Sequence, residues 1–354
     1  MAHYQGQNSI PTKKVTIGIP VFNVADYIYA SLTSALNQDM DDIEILIIDD
    51  CGTDSSMEIV HQLQNSHSKG ECIRIIRHEQ NKGIAEARNT ILHEAQGKYL
   101  FFLDSDDLIM RSTISILYQA AEREKAELTY GSTTVREMDG KEHPFFIFPQ
   151  LTISGEYALV NYIYKDIRQN IPNYVWNILF LTKFLRNHRF SFPPFRVSED
   201  TMFNELIQPK VTKAVLLPNI TYVYVKRPNS LMNFQSRDTI SIQEALTTLN
   251  YSEMQKKMCQ QHCHEPYYGG KCAKTMKNIL YRVCGILKHR NQLTGSISDR
   301  ELRNIMRHPA ILSEILNFKQ QKCANLLFWL LGKLPPKLSI WIIRIIGKQK
   351  GYIS

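Results

Sequence analysis

The chain has 354 residues, 44% of them hydrophobic and 21% charged, which excludes a disordered or fibrous protein and fits one main domain with a smaller appendage. The net charge of +8 resides in the tail: the last forty residues carry Lys319, Lys322, Lys333, Lys337, Arg344, Lys348 and Lys350 and no acid. The rest of the chain then holds 42 − 7 = 35 basic residues against 34 acidic ones, so no nucleic-acid partner is expected.

The start, MAHYQGQNSIPTKK, lacks the apolar core of a secretory signal, and the seven cysteines are odd in number. Both features point to a reducing, cytoplasmic setting with free thiols. From Val15 short β-rich runs alternate with helical periodicity, the pattern of a largely parallel α/β sheet covered by helices. Strands are expected at Val15–Pro20, Ile43–Asp49, Ile73–Arg77 and Tyr99–Leu103. Helices are expected at Ala25–Asn37, Asp54–Asn65 and Ile84–Ala95, with Asp54 as an N-cap and Gly97 as a C-terminal stop. A fourth helix should cover Ser112–Glu124, and another strand begins at Leu128–Tyr130.

In open sheets of this kind ligands lie beyond the carboxyl ends of the strands. The tips here are Val21–Asn23, Asp49–Asp54 and Asp104–Asp107, so Asp49, Asp50, Asp104, Asp106 and Asp107 are expected to share one cleft. Acids gathered at a buried strand end need a compensating charge, and a hard divalent cation sharing its shell with substrate phosphates supplies one. An Asp-x-Asp triplet alone is expected about once by chance in a chain this long, so its place after a strand carries the reading.

Beyond Lys141 the sequence turns irregular and aromatic, with a mixed region and a covering helix expected; from Thr239 it reads mainly helical. Cys259, His262, Cys263, His264 and Cys272 bunch near a predicted helix end, but a structural zinc site usually shows two paired ligand clusters, and one is visible. The last two apolar stretches, Leu326–Leu331 and Ile340–Ile346, are too short to span a bilayer. With Phe328, Trp329, Trp341 and the basic residues they read as interfacial helices on an anionic membrane surface, or as helices packed on the protein body with their charges in solvent.

The runs IGIPVFNVADYIYASLTSALNQ, IEILIIDDCGTDSS, NKGIAEARNTIL and GKYLFFLDSDD, in that order, resemble the inverting family 2 glycosyltransferases of the GT-A fold. VWNILFLTKFL followed by VSEDTMF extends the likeness to about residue 205. The resemblance implies a GT-A (Rossmann-like), mostly parallel sheet with nucleotide-sugar binding and catalysis in residues 1–235, and a mainly helical region with a basic amphipathic tail in 236–354.

It further implies that Pro20, Phe22, Asp49, Asp50, Arg88 and Asp104 bind the nucleotide, with Phe22 against the base and Asp50 accepting from a uracil N–H. Asp106, with Asp104, would hold Mg²⁺ or Mn²⁺. Asp200 would be the base and Glu199 a substrate-binding or supporting acid, and Trp176 and Asn177 would belong to the acceptor pocket, core packing being the alternative for Trp176. Cys51 and Gly52 stand where the family usually has Gly and Ser. The expected reaction is transfer of a sugar from a nucleotide diphosphate sugar, UDP-linked by preference, to a hydroxyl of a glycan or lipid-linked acceptor. A non-catalytic nucleotide-sugar or glycan-binding module would not need both Asp106 and Asp200, and a nucleotidyltransferase would want a basic Gly-rich loop at Val21–Asp26, where none occurs.

Overall fold

The computed structural model describes residues 11–165, 173–194, 199–227, 240–293 and 295–353. The chain forms two compact units, residues 1–159 with 171–228, and residues 160–170 with 229–354. The boundary expected near 235 lies outside the described residues.

In the first unit the alternation read from the sequence becomes β1 (Lys13–Val21), α1 (Ala25–Leu36), β2 (Ile43–Asp49), α2 (Ser56–Ser66), β3 (Ile73–Arg77), α3 (Ile84–Glu94) and β4 (Gly97–Phe102). There follow β5 (Leu108–Ile109), α4 (Thr113–Glu124), β6 (Leu128–Arg136), β7 (Glu142–Phe146) and β8 (Leu151–Ser154). After α5 (Ala158–Lys165) come β9 (Ile178–Leu181), α6 (Thr182–Asn187), α7 (Glu199–Ile207) and β10 (Lys213–Val225).

The sheet runs β3-β2-β1-β4-β9-β6-β10-β5, with β7 on β6 and β8 on β10. Its β3-β2-β1-β4 half is parallel, and β2 is buried along its whole length, as a parallel strand covered on both faces must be. Beyond β4 the sheet becomes mixed, because β9 enters antiparallel to both β4 and β6. That four-residue strand takes its partners from distant parts of the chain, so local pattern could not announce it.

Helix α1 presents Ile28, Ser31, Leu32, Ala35 and Leu36 to the core, the spacing of one helical face. They pack with Ile17, Ile19, Ile45 and Phe101 of the central strands. Gly97 opens β4 instead of stopping α3, whose C-cap is Ala95. A Cβ on Gly97 would lie 2.3 Å from the Thr16 amide nitrogen and 2.6 Å from the Tyr99 carbonyl oxygen, so the strand needs a residue without one. Gly97→Ala is therefore expected to lower stability by about 2–3 kcal/mol in urea unfolding; an unchanged midpoint would contradict this contact.

The second unit is helical where described: α8 (Ile242–Gln260), α9 (Tyr268–His289), α10 (Asp299–Ile305), α11 (Leu312–Asn317), α12 (Lys322–Leu331) and α13 (Pro336–Gln349). Its main core joins Leu249 of α8, Met276, Val283 and Ile286 of α9, Leu302 of α10, and Ile340 and Ile343 of α13. Ser241 and Ser298 each form a capping box, with Glu244 and Glu301, at the starts of α8 and α10. Cys259 and Cys272 are buried with their sulfurs 3.5 Å apart, and the Tyr267 hydroxyl lies 2.9 Å from His262 Nδ1. Among the described residues no group of three His, Cys, Asp or Glu converges as a metal site, and no helix is long and apolar enough to cross a membrane.

Candidate active site

Parallel pairing sets the strand tips side by side: Val21 is in register with Asp49, and Asp49 with Arg77. The loops after β1 and β2 are then fastened to each other. Asn23 Oδ1 accepts from the Thr53 amide at 2.7 Å, and Asp54 Oδ2 accepts from the Ala25 amide at 2.8 Å. Asp54 Oδ1 also takes the Ser56 amide and hydroxyl at 3.0 and 2.6 Å. The formal N-cap of α2 is Ser55, without a side-chain cap bond; Asp54, one residue earlier, instead serves the first turns of both α1 and α2.

The paired acids after β2 separate in role. Asp50 is buried and its carboxylate faces its own protein: His78 Nδ1 lies 2.6 Å away, and the Lys82 and Gly83 amides donate at 2.9 and 2.8 Å. His78 Nε2 in turn lies 2.9 Å from the Thr90 hydroxyl. Asp50 therefore shapes the loop before α3, and most of its accepting capacity is already used. Asp49 lines a cleft of about 300 Å³ with Val21, Gly52, Met57, His61 and Arg77, and Arg77 Nε stands 3.4 Å from its carboxylate. Pro20 is buried in β1 opposite Ile48, whereas Phe22, just beyond the strand, is 46% exposed. Cys51 adopts a φ of 58° and points its thiol at the His78 carbonyl, 2.8 Å away. A larger cleft of about 640 Å³, at the carboxyl end of α1 beside Lys69 and Arg111, contains none of the expected site residues.

At the tip of β4 the three acids also divide. Asp107 is a structural anchor, accepting from the Tyr222 hydroxyl and the Val225 amide at 2.8 Å each and so tying the acidic turn to β10. Asp104 accepts from Arg88 Nη2 at 2.7 Å, while Arg88 Nη1 donates to Glu199 at 2.6 Å. Arg88 is buried, and its Nε finds no partner among the described residues. This guanidinium bridges the fourth strand tip to the first residue of α7, positions 111 apart for Arg88 and Glu199. A fork of fixed donors suits two carboxylates held in this way.

Burial and the neighbouring Asp200 charge push the Glu199 carboxyl up to about 7, Arg88 offsetting part of the effect. Asp200 is half-buried, its Oδ1 takes the Thr201 amide at 2.6 Å, and burial raises its pKa above the ordinary aspartate value. Ser198, which precedes these acids in the sequence, lies outside the described residues.

Asp106 forms an ion pair with Arg227, Nε to Oδ2 at 2.5 Å, and Arg227 stacks over the Tyr27 ring. Burial and repulsion from Asp104 raise the Asp106 pKa. Asp104 and Asp106 are carboxylates of the type a small hard cation takes one or two of, and each is here paired with a guanidinium, Arg88 and Arg227. A cationic group already faces Asp106, which is the environment that acid requires. Nothing in the pattern around Tyr224-Val-Lys-Arg-Pro marked Arg227 beforehand, and Arg77, Tyr222 and His78 were likewise missed. Arg77 alone left a signal, as a basic residue at a predicted strand tip.

Trp176 and Asn177 do not face open space. Trp176 is 7% exposed and sandwiched in a ladder of rings, 3.3 Å from Tyr174 and 4.5 Å from Tyr222. Asn177 donates to the Gly131 carbonyl at 2.7 Å, the Ser132 carbonyl at 3.1 Å and the Thr133 hydroxyl at 2.9 Å, and accepts from the Thr221 hydroxyl at 2.6 Å. Its polar atoms are engaged in locking β6, β9 and β10 together.

A strand-and-helix sheet whose tips carry a cleft, an acidic turn and a second acid pair has a GT-A architecture. Residues 16–186 match the family model for Glycosyl transferase family 2. An uncharacterized glycosyltransferase, EpsJ of Bacillus subtilis, is 27% identical over 221 residues, covering 61% of this chain and 62% of that one. The Escherichia coli WfaP, a UDP-Glc:alpha-D-GlcNAc-diphosphoundecaprenol beta-1,3-glucosyltransferase, is 39% identical over 118 residues, 33% of this chain and 45% of WfaP. The chain thus spans less than two thirds of the length of these relatives. Among solved structures, residues 1–349 of S. aureus TarS in complex with UDP-GlcNAc superpose with a TM-score of 0.57 at 16% identity, covering 90% of each chain, a likeness of fold.

Proposed function

We propose that the protein is an inverting glycosyltransferase that moves a sugar from a UDP-sugar to a hydroxyl of a glycan or lipid-linked acceptor, at the cytoplasmic side of a membrane. The observation that carries this reading is the Arg88 bridge, which holds the Asp104 turn and the Glu199–Asp200 pair in one place. A nucleotide-binding module has no use for a second, charge-raised acid pair fastened to its acidic turn. The WfaP name, with its UDP-Glc donor and diphosphoundecaprenol acceptor, and the UDP-GlcNAc complex of TarS support the choice of donor class.

In this mechanism the base lies in the cleft of Asp49 and Arg77 with Phe22 against its face, and Asp50 acts by holding the Lys82–Gly83 loop in shape. Asp106, with Asp104, would hold Mg²⁺ or Mn²⁺, which when bound neutralises charge on the departing diphosphate. Arg88 keeps Asp104 and Glu199 in place, beside Asp200. The acceptor oxygen attacks the anomeric carbon as its proton passes to Asp200, and the bond to the diphosphate breaks with its electron pair leaving on the phosphate oxygen. This single displacement inverts the anomeric centre.

The test is a panel of nucleotide sugars assayed for transfer and hydrolysis, with and without EDTA, on wild type and Asp106→Ala. EDTA and Asp106→Ala should each abolish transfer from one donor; nucleotide binding without turnover of any donor would refute the enzyme reading. Because Asp200 must be ionised to accept a proton and burial raises its pKa, kcat/KM should climb with pH along an acid limb lying above the ordinary carboxylate range. A profile without any acid limb would remove Asp200 from the role of base.

A further inference from the structure

Helices α12 and α13 are seated in the second unit by one face only. The inward side of α13 is Ser339, Ile340, Ile343 and Gly347, and that of α12 is Asn325, Phe328 and Leu331. A helix lying on a protein surface normally turns charged and polar residues outward. Here the outward stripe of α13 is Leu338, Trp341 and Ile345, at 42%, 60% and 39% exposure, and α12 adds Leu327 and Leu330 at 47% and 48%. The two helices are apolar on both sides. Single exposed apolar residues need no explanation, but a repeated i, i+3/i+4 stripe with a tryptophan at its centre does.

The charge around the stripe decides what covers it. Lys333, Lys337 and Lys348 are all exposed beside it, Arg344 is half-buried, and the last forty residues contain no acid. A second copy of the same face would bring like charges together, whereas a bilayer with anionic headgroups offers hydrocarbon to the stripe and phosphate to its rim. Trp341 is of the residue type that settles at the level where these two regions meet. Neither helix is long enough to cross.

We propose that the outer faces of α12 and α13 form a docking surface for an anionic lipid bilayer, on which the protein lies without insertion of a span. The surface is independent of the transfer reading, since none of its residues belongs to the site of the first unit. The full chain is centrifuged with vesicles of phosphatidylcholine alone or with about 30% phosphatidylglycerol, at low and high salt, as wild type, Leu338→Gln/Trp341→Gln/Ile345→Gln, and Lys337→Glu/Lys348→Glu. Wild type should sediment with the anionic vesicles only and be released by salt. The triple variant should lose tenfold or more of its partition, and the charge variant about fivefold or more per residue. Thermal melts equal to wild type show that the outward substitutions leave the fold intact, and donor hydrolysis by the same samples separates a failure of docking from a failure of the enzyme reading. The proposal is overturned if folded variants sediment as wild type does, if wild type ignores anionic vesicles, or if ultracentrifugation shows a dimer that the triple variant abolishes without any vesicle binding.

Discussion

Asp200→Asn is expected to reduce sugar transfer by about 10²–10⁴-fold while leaving UDP affinity close to wild type. Asparagine keeps the size and the backbone hydrogen bond from Thr201 that Asp200 now accepts, so the local structure should survive. It cannot take a proton from an incoming hydroxyl, and no other free carboxylate of the pair replaces it, because Glu199 is held by Arg88. Transfer kinetics with the preferred donor, alongside calorimetric UDP titration, read the two effects separately. Parallel losses of UDP affinity and rate would move Asp200 to donor binding; unchanged transfer would discard it as the base.

Arg88→Met should be strongly destabilising to the first unit. It removes the shared partner of two acids, one of them buried, and breaking a buried ion pair from one side costs about 3–5 kcal/mol. For a protein of this size that corresponds to a fall in melting temperature on the order of 10 °C. Arg88→Lys should recover only part of it, since an ammonium offers no planar fork to span Asp104 and Glu199. If the loss arises from the stranded acids, adding Glu199→Gln to Arg88→Met should give back stability, a non-additive result in a double-mutant cycle. Additive losses would mean that packing, including the Phe192 ring 5.8 Å from the guanidinium, accounts for the effect instead.

The parallel half of the sheet was legible because its strands are continuous apolar runs separated by helices of clear periodicity, and Ile43–Asp49 agrees residue for residue. The acids were legible as residues, since carboxylates at strand ends stand out against apolar sequence. Their division of labour was not. Whether Asp50 faces a ligand or the Lys82–Gly83 amides depends on a loop thirty-odd positions away, and whether Asp107 is open depends on Tyr222, 115 positions distant. Asn177 shows the same limit: the three strands it ties together are not visible in the residues around it. Gly97 failed for a different reason, because a glycine after a helix fits both a cap and a strand that must approach Thr16 closely.

The reciprocal bonds between the first two strand-tip loops, Asn23 to Thr53 and Asp54 to Ala25, make them one clasp and not two independent segments. Reshaping the wall that carries Phe22 thus displaces the floor that carries Asp49, and the reverse. If, as proposed, these loops hold the nucleotide base, its specificity cannot be tuned by editing either loop alone, and a viable change would need compensating substitutions on both sides of the clasp, made together.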